Sequence, residues 1–125
     1  MFSMIEIITA TRLSEEAFWQ TSALAQSLKR VGYDNTLLLG AFFENKRGLS
    51  EIYNDCILSG DANNVIVFIH DDVWIDDCFF SYRVLEGLGT YDILGIAGNR
   101  RRIPFQPGWG YVDKAFTLDD RENLS

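Results

Sequence analysis

Five apolar residues, Val65-Ile66-Val67-Phe68-Ile69, run directly into His70-Asp71-Asp72. An apolar run of this length reads as a strand buried on both faces, the habit of a parallel sheet. Adjacent carboxylates repel each other and resist desolvation, so a hydrophobic strand rarely ends in them without cause. Oxygen ligands for a divalent cation are one cause, because ligands bind at the carboxyl edge of an open α/β sheet. The plainer alternative is that the acids cap the turn that follows.

The remaining sequence alternates in period around this strand. Met4 to Thr9 is Ile-rich and strand-like. Ser14 is placed to cap a helix, with Glu15 and Glu16 in its first turn and Leu13 and Phe18 spaced as a hydrophobic staple. Helical spacing of Ala17, Phe18, Thr21, Leu24, Ala25, Leu28 and Val31 predicts one helix ending at Gly32. Thr36 to Phe42 reads as a second strand. A helix follows with Leu49, Ile52, Tyr53, Cys56 and Ile57 on its inner stripe and Gly60 at its end. Asp76 or Asp77 caps a third helix that turns Phe79, Phe80, Val84, Leu85 and Leu88 inward. Asp92 to Ala97 reads as a fourth strand, and Trp109 to Val112 as one further short strand. The order β-α-β-α-β-α-β predicts an α/β fold with a mainly parallel sheet and helices on its faces. Residues 1–112 form the expected domain, and 113–125 a polar C-terminal tail.

Bulk properties narrow the function. A chain of 125 residues, 47% of them hydrophobic, can bury a real core. Its net charge of −7 argues against a nucleic-acid binder, whose footprint is basic, and against an anionic membrane surface. No apolar stretch approaches the length of a transmembrane segment, and the N-terminus has no basic leader, so the expected location is cytoplasmic. Cys56 and Cys78 fall in apolar helical patterns and read as buried reduced thiols, with no zinc spacing.

The carboxyl ends of the predicted strands are Thr9-Ala10-Thr11-Arg12, Phe43-Glu44-Asn45, His70-Asp71-Asp72 and Gly98-Asn99-Arg100. A parallel sheet gathers such ends at one edge, where acids, guanidinium groups and a helix start suit a metal-held diphosphate. Three segments carry a resemblance. G-L-S-E-I-Y-N-D-C-I-L at 48–58 resembles the second helix of family 2-like GT-A glycosyltransferases. V-I-V-F-I-H-D-D-V-W-I resembles the strand leading into their DxD motif, in the form of a bacterial subgroup with a leading His. D-I-L-G-I-A-G-N-R resembles that subgroup's next strand. The likeness spans roughly residues 1–112, and 48–77 is its specific part.

This resemblance implies the Rossmann-like, nucleotide-sugar-binding half of a GT-A fold, a three-layer sandwich. It implies a nucleoside-diphosphate sugar donor, Mn²⁺ or Mg²⁺, and glycosyl transfer of hexosyltransferase type. Carried over residue by residue, Asp72 matches the metal ligand of the motif, Asp71 its variable middle position and His70 the leading position. Thr9, Thr11 and Arg12 match the loop around the base, while Arg47 and Asn54 fall on the nucleotide side of the second helix. The sequence departs from the family's pattern in that leading His. No residue matches the family's catalytic carboxylate, and Asp119-Asp120 sits in a polar tail. The chain is therefore expected to stop before the acceptor half, and to self-associate or meet that half on a separate partner chain. The alternative is a non-catalytic remnant or assembly module that retains the fold. A phosphoacceptor receiver domain would need an acid pair after the first strand, and Thr9-Ala10-Thr11-Arg12 has none.

Each isolated feature also has a structural explanation. His70 can be a hydrogen-bonded strand end, Arg100-Arg101-Arg102 a solvated loop, and Asn54 a bond to a neighbouring loop. Trp74, Trp109 and Tyr111 can serve packing.

Overall fold

The computed structural model describes residues 4–96, 111 and 113–118. The chain divides into two compact units, Met1–Glu86 and Gly87–Ser125. In the first, β1 (Ile5–Ala10), β2 (Leu37–Phe42) and β3 (Val65–Phe68) form a parallel sheet in the order β2-β1-β3. The helices are α1 (Glu15–Thr21), α2 (Ala23–Arg30), α3 (Leu49–Ser59) and α4 (Phe80–Leu88), of which α4 reaches into the second unit. The expected mixed α/β character and parallel pairing are observed.

Strand order decides burial. β1 lies between two neighbours, and its Ile5, Ile7, Ile8 and Thr9 are all buried. β3 has one described neighbour, so Ile66, Val67 and Phe68 are only half-buried, not enclosed on both faces as the apolar run suggests. Ile7 packs with Phe18, Leu24, Ala25, Ile69 and Ile75, and Val67 and Leu39 lie against this cluster. Phe18 meets Trp19 and Phe43 edge-on, with ring centroids 5.3 and 5.4 Å apart. Residues alternate across a strand, so Phe68 points the other way from Val67. There it stacks on Tyr53 of α3 at 4.0 Å. α1 and α2 therefore serve one face of the sheet and α3 the other. Burial raises the Tyr53 hydroxyl above its ordinary pKa.

The predicted helix over 14–31 is two helices. Ser14 does cap the first, accepting from the Ala17 N–H at 3.2 Å, and Leu13 packs against the cluster around Phe18. At Ser22 the backbone becomes extended (φ −73°, ψ 143°), and its buried hydroxyl accepts from the Ala25 N–H to start α2. The carbonyls freed at the end of α1 are met by α2 side chains. Gln26 donates to the Trp19 and Gln20 carbonyls at 2.9 and 3.1 Å, and Lys29 donates to Trp19 at 2.7 Å. The apolar period continues across this break because both helices face the same core, which is why the period alone does not reveal it. The break also frees the Leu24 N–H, which donates to the Asp71 carbonyl at 3.0 Å.

α3 ends where expected, at Gly60, where a Cβ would sit 2.7 Å from the Cys56 carbonyl oxygen. Its inner stripe is narrower than predicted. Ile52 is fully buried, whereas Ile57 is exposed. Asp77 accepts from the Phe79 N–H at 2.7 Å in the turn before α4, so of the two acids considered it is the one bonded at this boundary, though not as a helix cap. Phe79 itself is exposed rather than inward. Ser81 on α4 donates to Asp34, which also accepts from the Thr36 N–H at 2.9 Å and the Thr36 hydroxyl at 2.5 Å. Burial works to raise the Asp34 carboxyl, but the Ser81 and Thr36 bonds prevail and hold it below its ordinary value. The Cys78 carbonyl accepts from the Tyr33 hydroxyl at 2.6 Å. Cys78 is exposed, contrary to expectation. Cys56 is half-buried, and burial, with the Asp55 and Glu6 charges, raises its thiol.

In the second unit, residues 91–96 are irregular and form no strand. Ile93 is 88% exposed and Ile96 99%. A strand needs a neighbour to take its backbone bonds, and no described residue pairs with this segment. Tyr111 makes an isolated antiparallel bridge with Leu118 and meets Phe116 edge-on at 5.3 Å. Ala97, Arg100-Arg101-Arg102, Trp109, Val112 and Asp119-Asp120 lie outside the described residues. Among the described residues no helix is long and apolar enough to cross a membrane.

If Ser22 is the cap that divides the two helices, Ser22→Ala should cost about 1 kcal/mol in urea unfolding. A variant as stable as the native chain would show that the break does not depend on this hydroxyl.

Candidate ligand cleft at the sheet edge

Three strand ends meet through Thr11. Its N–H donates to the Phe42 carbonyl at 3.0 Å, and its carbonyl accepts from the Asn45 N–H at 2.8 Å. Both bonds fasten the end of β1 to the β2 side. Its hydroxyl donates to the Asp71 carboxylate at 2.6 Å and accepts from the Leu13 N–H at 3.1 Å, fastening β1 to the β3 side. Ile69 extends the β1–β3 ladder by donating to the Ile8 carbonyl at 3.0 Å. The Asp71 backbone is held in turn by Leu24. Val73 donates to the His70 carbonyl at 3.2 Å, closing a turn after the strand.

Above this lattice lies an open cleft of about 850 Å³, bordered by Thr11, Arg12, Asn45, Lys46, His70 and Asp71 among others. Thr11, Arg12, Arg47, His70 and Asp71 were expected at the site, and all five line it. Their surroundings differ. Thr11 is buried and its only proton is committed to Asp71. Arg12 and His70 are exposed, and their side chains make no hydrogen bond or ion pair among the described residues. Asp71 uses one carboxylate oxygen on Thr11.

Arg47 borders the cleft, yet its guanidinium is engaged along α3. It bonds Glu51 Oε1 at 3.1 Å through Nε and 2.8 Å through Nη2, and Nη2 also reaches Asp55. The Asp55 and Glu51 carboxylates raise its pKa further above an already high value.

Three expected residues do not line the cleft. Thr9 is fully buried within β1, and its hydroxyl has no hydrogen-bond partner among the described residues. Asn54 is exposed on α3. Asp72 is exposed just past the Asp71 anchor, with no side-chain bond among the described residues. No group of three or more His, Cys, Asp or Glu side chains is gathered to hold a metal among the described residues.

The loop after β2 contributes more than its sequence suggests. Glu44 adopts a left-handed backbone (φ 47°), and its N–H donates to the Leu13 carbonyl at 2.9 Å. Asn45 then clasps Arg47 from both sides. Its Oδ1 accepts from the Arg47 N–H at 3.1 Å and its Nδ2 donates to the Arg47 carbonyl at 2.9 Å. Lys46, at the tip of this turn, borders the cleft and was not singled out from sequence. Asn two residues before Arg is the one local signal, since Asn side chains bond backbone two residues on.

The cleft thus presents two unpaired cations, a histidine and carboxylates on a hydrogen-bonded floor. Such a set suits a polar ligand with anionic and hydroxyl groups. No protein-family model, curated protein or solved structure matches this chain.

The two threonines should separate cleanly. Thr11→Val leaves Leu13 and Asp71 without their partner and should cost about 1–3 kcal/mol of stability, with Thr11→Ser recovering most of it. Thr9→Val removes a buried hydroxyl that has no bond, so it should be neutral or stabilising. Chemical denaturation measures both. Loss of stability in Thr9→Val would mean that its hydroxyl has a partner.

Proposed function

We propose that the cleft binds a nucleoside-diphosphate sugar with Mn²⁺ or Mg²⁺, as the nucleotide-binding half of a GT-A glycosyltransferase of family 2 type. The observation that carries this reading is the convergence of Arg12, Lys46, His70 and Asp71 at the carboxyl edge of a parallel sheet, where α/β folds bind nucleotides. The order β2-β1-β3 and the helices on opposite faces are compatible with a Rossmann-like, three-layer GT-A half.

The donor set fits a cation that arrives with its substrate. Mg²⁺ is commonly held by one or two carboxylates plus phosphate oxygens, so a three-residue protein cage is not required. Asp72, exposed just past the cleft's lining, would hold it together with Asp71, which borders the cleft and has one carboxylate oxygen uncommitted. Such a metal would neutralise the diphosphate as it leaves the sugar. His70, exposed and unpaired at the cleft's border, would bond a ribose hydroxyl, because an imidazole carries two nitrogens able to take part in hydrogen bonds. Thr11 keeps the three strand ends in register and so sets the spacing of these groups. Catalysis would further require an acceptor and a base. A second reading, an assembly module that keeps the fold, is favoured by the exposed Ile93, Ile96, Phe116 and Leu118 of the second unit, since apolar surface of this kind marks interaction sites. That surface would meet a second copy or a partner chain carrying the acceptor half.

UDP or GDP together with Mn²⁺ should raise the melting temperature more than either component alone. Ligand at 100 times its Kd adds about 2.7 kcal/mol of stability. Asp72→Ala should abolish the shift while leaving the fold intact, and His70→Ala should weaken binding by about 1–2 kcal/mol. No shift with any nucleoside diphosphate would sink the donor-binding reading and favour the module.

A further inference from the structure

Three cationic side chains border the cleft, and they are not equivalent. Arg47 bonds two carboxylates on its own helix while Asn45 holds its N–H and its carbonyl. Turning its guanidinium toward a ligand would forfeit both ion pairs. Lys46 is fixed as the middle residue of the same turn, so its backbone is placed, yet its ammonium makes no bond among the described residues. Arg12 follows the anchored Thr11 in the same way, with backbone placed and guanidinium unpaired.

We infer that Lys46, with Arg12, supplies the positive charge that meets an anionic ligand in this cleft, and that Arg47 belongs to the scaffold. Arg12 comes from the end of β1 and Lys46 from the loop after β2, so the two approach the ligand from different segments. A diphosphate, with charge spread over several oxygens, can use both. Glu44 and Asp71 lie in the same cleft and oppose a bare polyanion. That balance would favour a diphosphate whose charge is partly neutralised by a divalent cation. Arg47 instead secures the start of α3: its ion pairs reach one and two turns along the helix, to Glu51 and Asp55.

This assignment rests on the diphosphate reading above, and titration calorimetry of the full chain with UDP and Mn²⁺ separates the two. Lys46→Met and Arg12→Met should each weaken binding about tenfold, the loss of one charge-assisted hydrogen bond. Arg47→Met should melt at a lower temperature but bind within about twofold of the native chain. If Arg47→Met does not fold, Glu51→Gln decides, because it loosens Arg47 without removing it and should leave affinity unchanged. Native affinity in both Lys46→Met and Arg12→Met overturns the assignment and spares the donor reading. Weaker binding by folded Arg47→Met, or tighter binding by Glu51→Gln, returns the anion contact to Arg47. No binding of UDP by the native chain overturns both.

Discussion

The hydrogen bond from the Thr11 hydroxyl to Asp71 joins the first strand to the third across 60 residues of sequence, and the candidate site depends on it. A short hydroxyl–carboxylate bond in a half-buried place is strong, because carboxyl oxygens are good acceptors and water competes poorly. It stands at the centre of a lattice whose other members are backbone groups, from Phe42, Asn45, Leu13 and Leu24. Through these, the ends of β1, β2 and β3 and the start of α2 share one frame. His70 and Asp72 flank the anchored Asp71, and Lys46 follows the anchored Asn45.

One consequence concerns the acid pair. Adjacent carboxylates at the end of an apolar strand are costly unless their charges have different surroundings. Here Asp71 accepts from Thr11 and is half-buried, while Asp72 is in solvent. The two acids have divided their work. One builds the floor, and the other is exposed and unpaired among the described residues. The plainer explanation, that the acids cap the following turn, is not what Asp71 does: its side chain meets Thr11 and its carbonyl meets Leu24, while the turn closes on the His70 carbonyl.

Much of the first unit was legible in the sequence because its signals are local. The Ile-rich β1, the Leu-rich β2 and the run Val65 to Phe68 each became a parallel strand, and Ser14, Gly60 and Asp77 mark boundaries through their own hydrogen bonds. What was missed depends on distant partners. The break at Ser22 is stabilised by Gln26 and Lys29 reaching back to α1 and by Leu24 reaching Asp71, none of which changes the apolar period. The segment Asp92 to Ile96 has strand-like residues, but residue type supplies no pairing partner, and the described chain gives none. Within the site, Arg12, His70 and Asp71 were readable as polar residues at strand ends. Thr9 was not, because β1 lies between two strands and buries Ile7, Ile8 and Thr9 in succession, hydroxyl included. Lys46 was hidden because a lysine in a polar loop is ordinary until Asn45 is seen to fix the turn.

We propose that the three strand ends form one metal-assisted ligand site. Amide NMR spectra of the labelled chain, recorded with UDP and a small amount of Mn²⁺, test it directly, since the paramagnetic ion broadens the signals nearest to it. UDP-dependent broadening should centre on residues 70–72 and extend to 11–12 and 45–47, with Ile5, Leu37 and Val65 at the far end of the strands remaining sharp. Broadening that ignores UDP, or that centres away from residues 70–72, would contradict it.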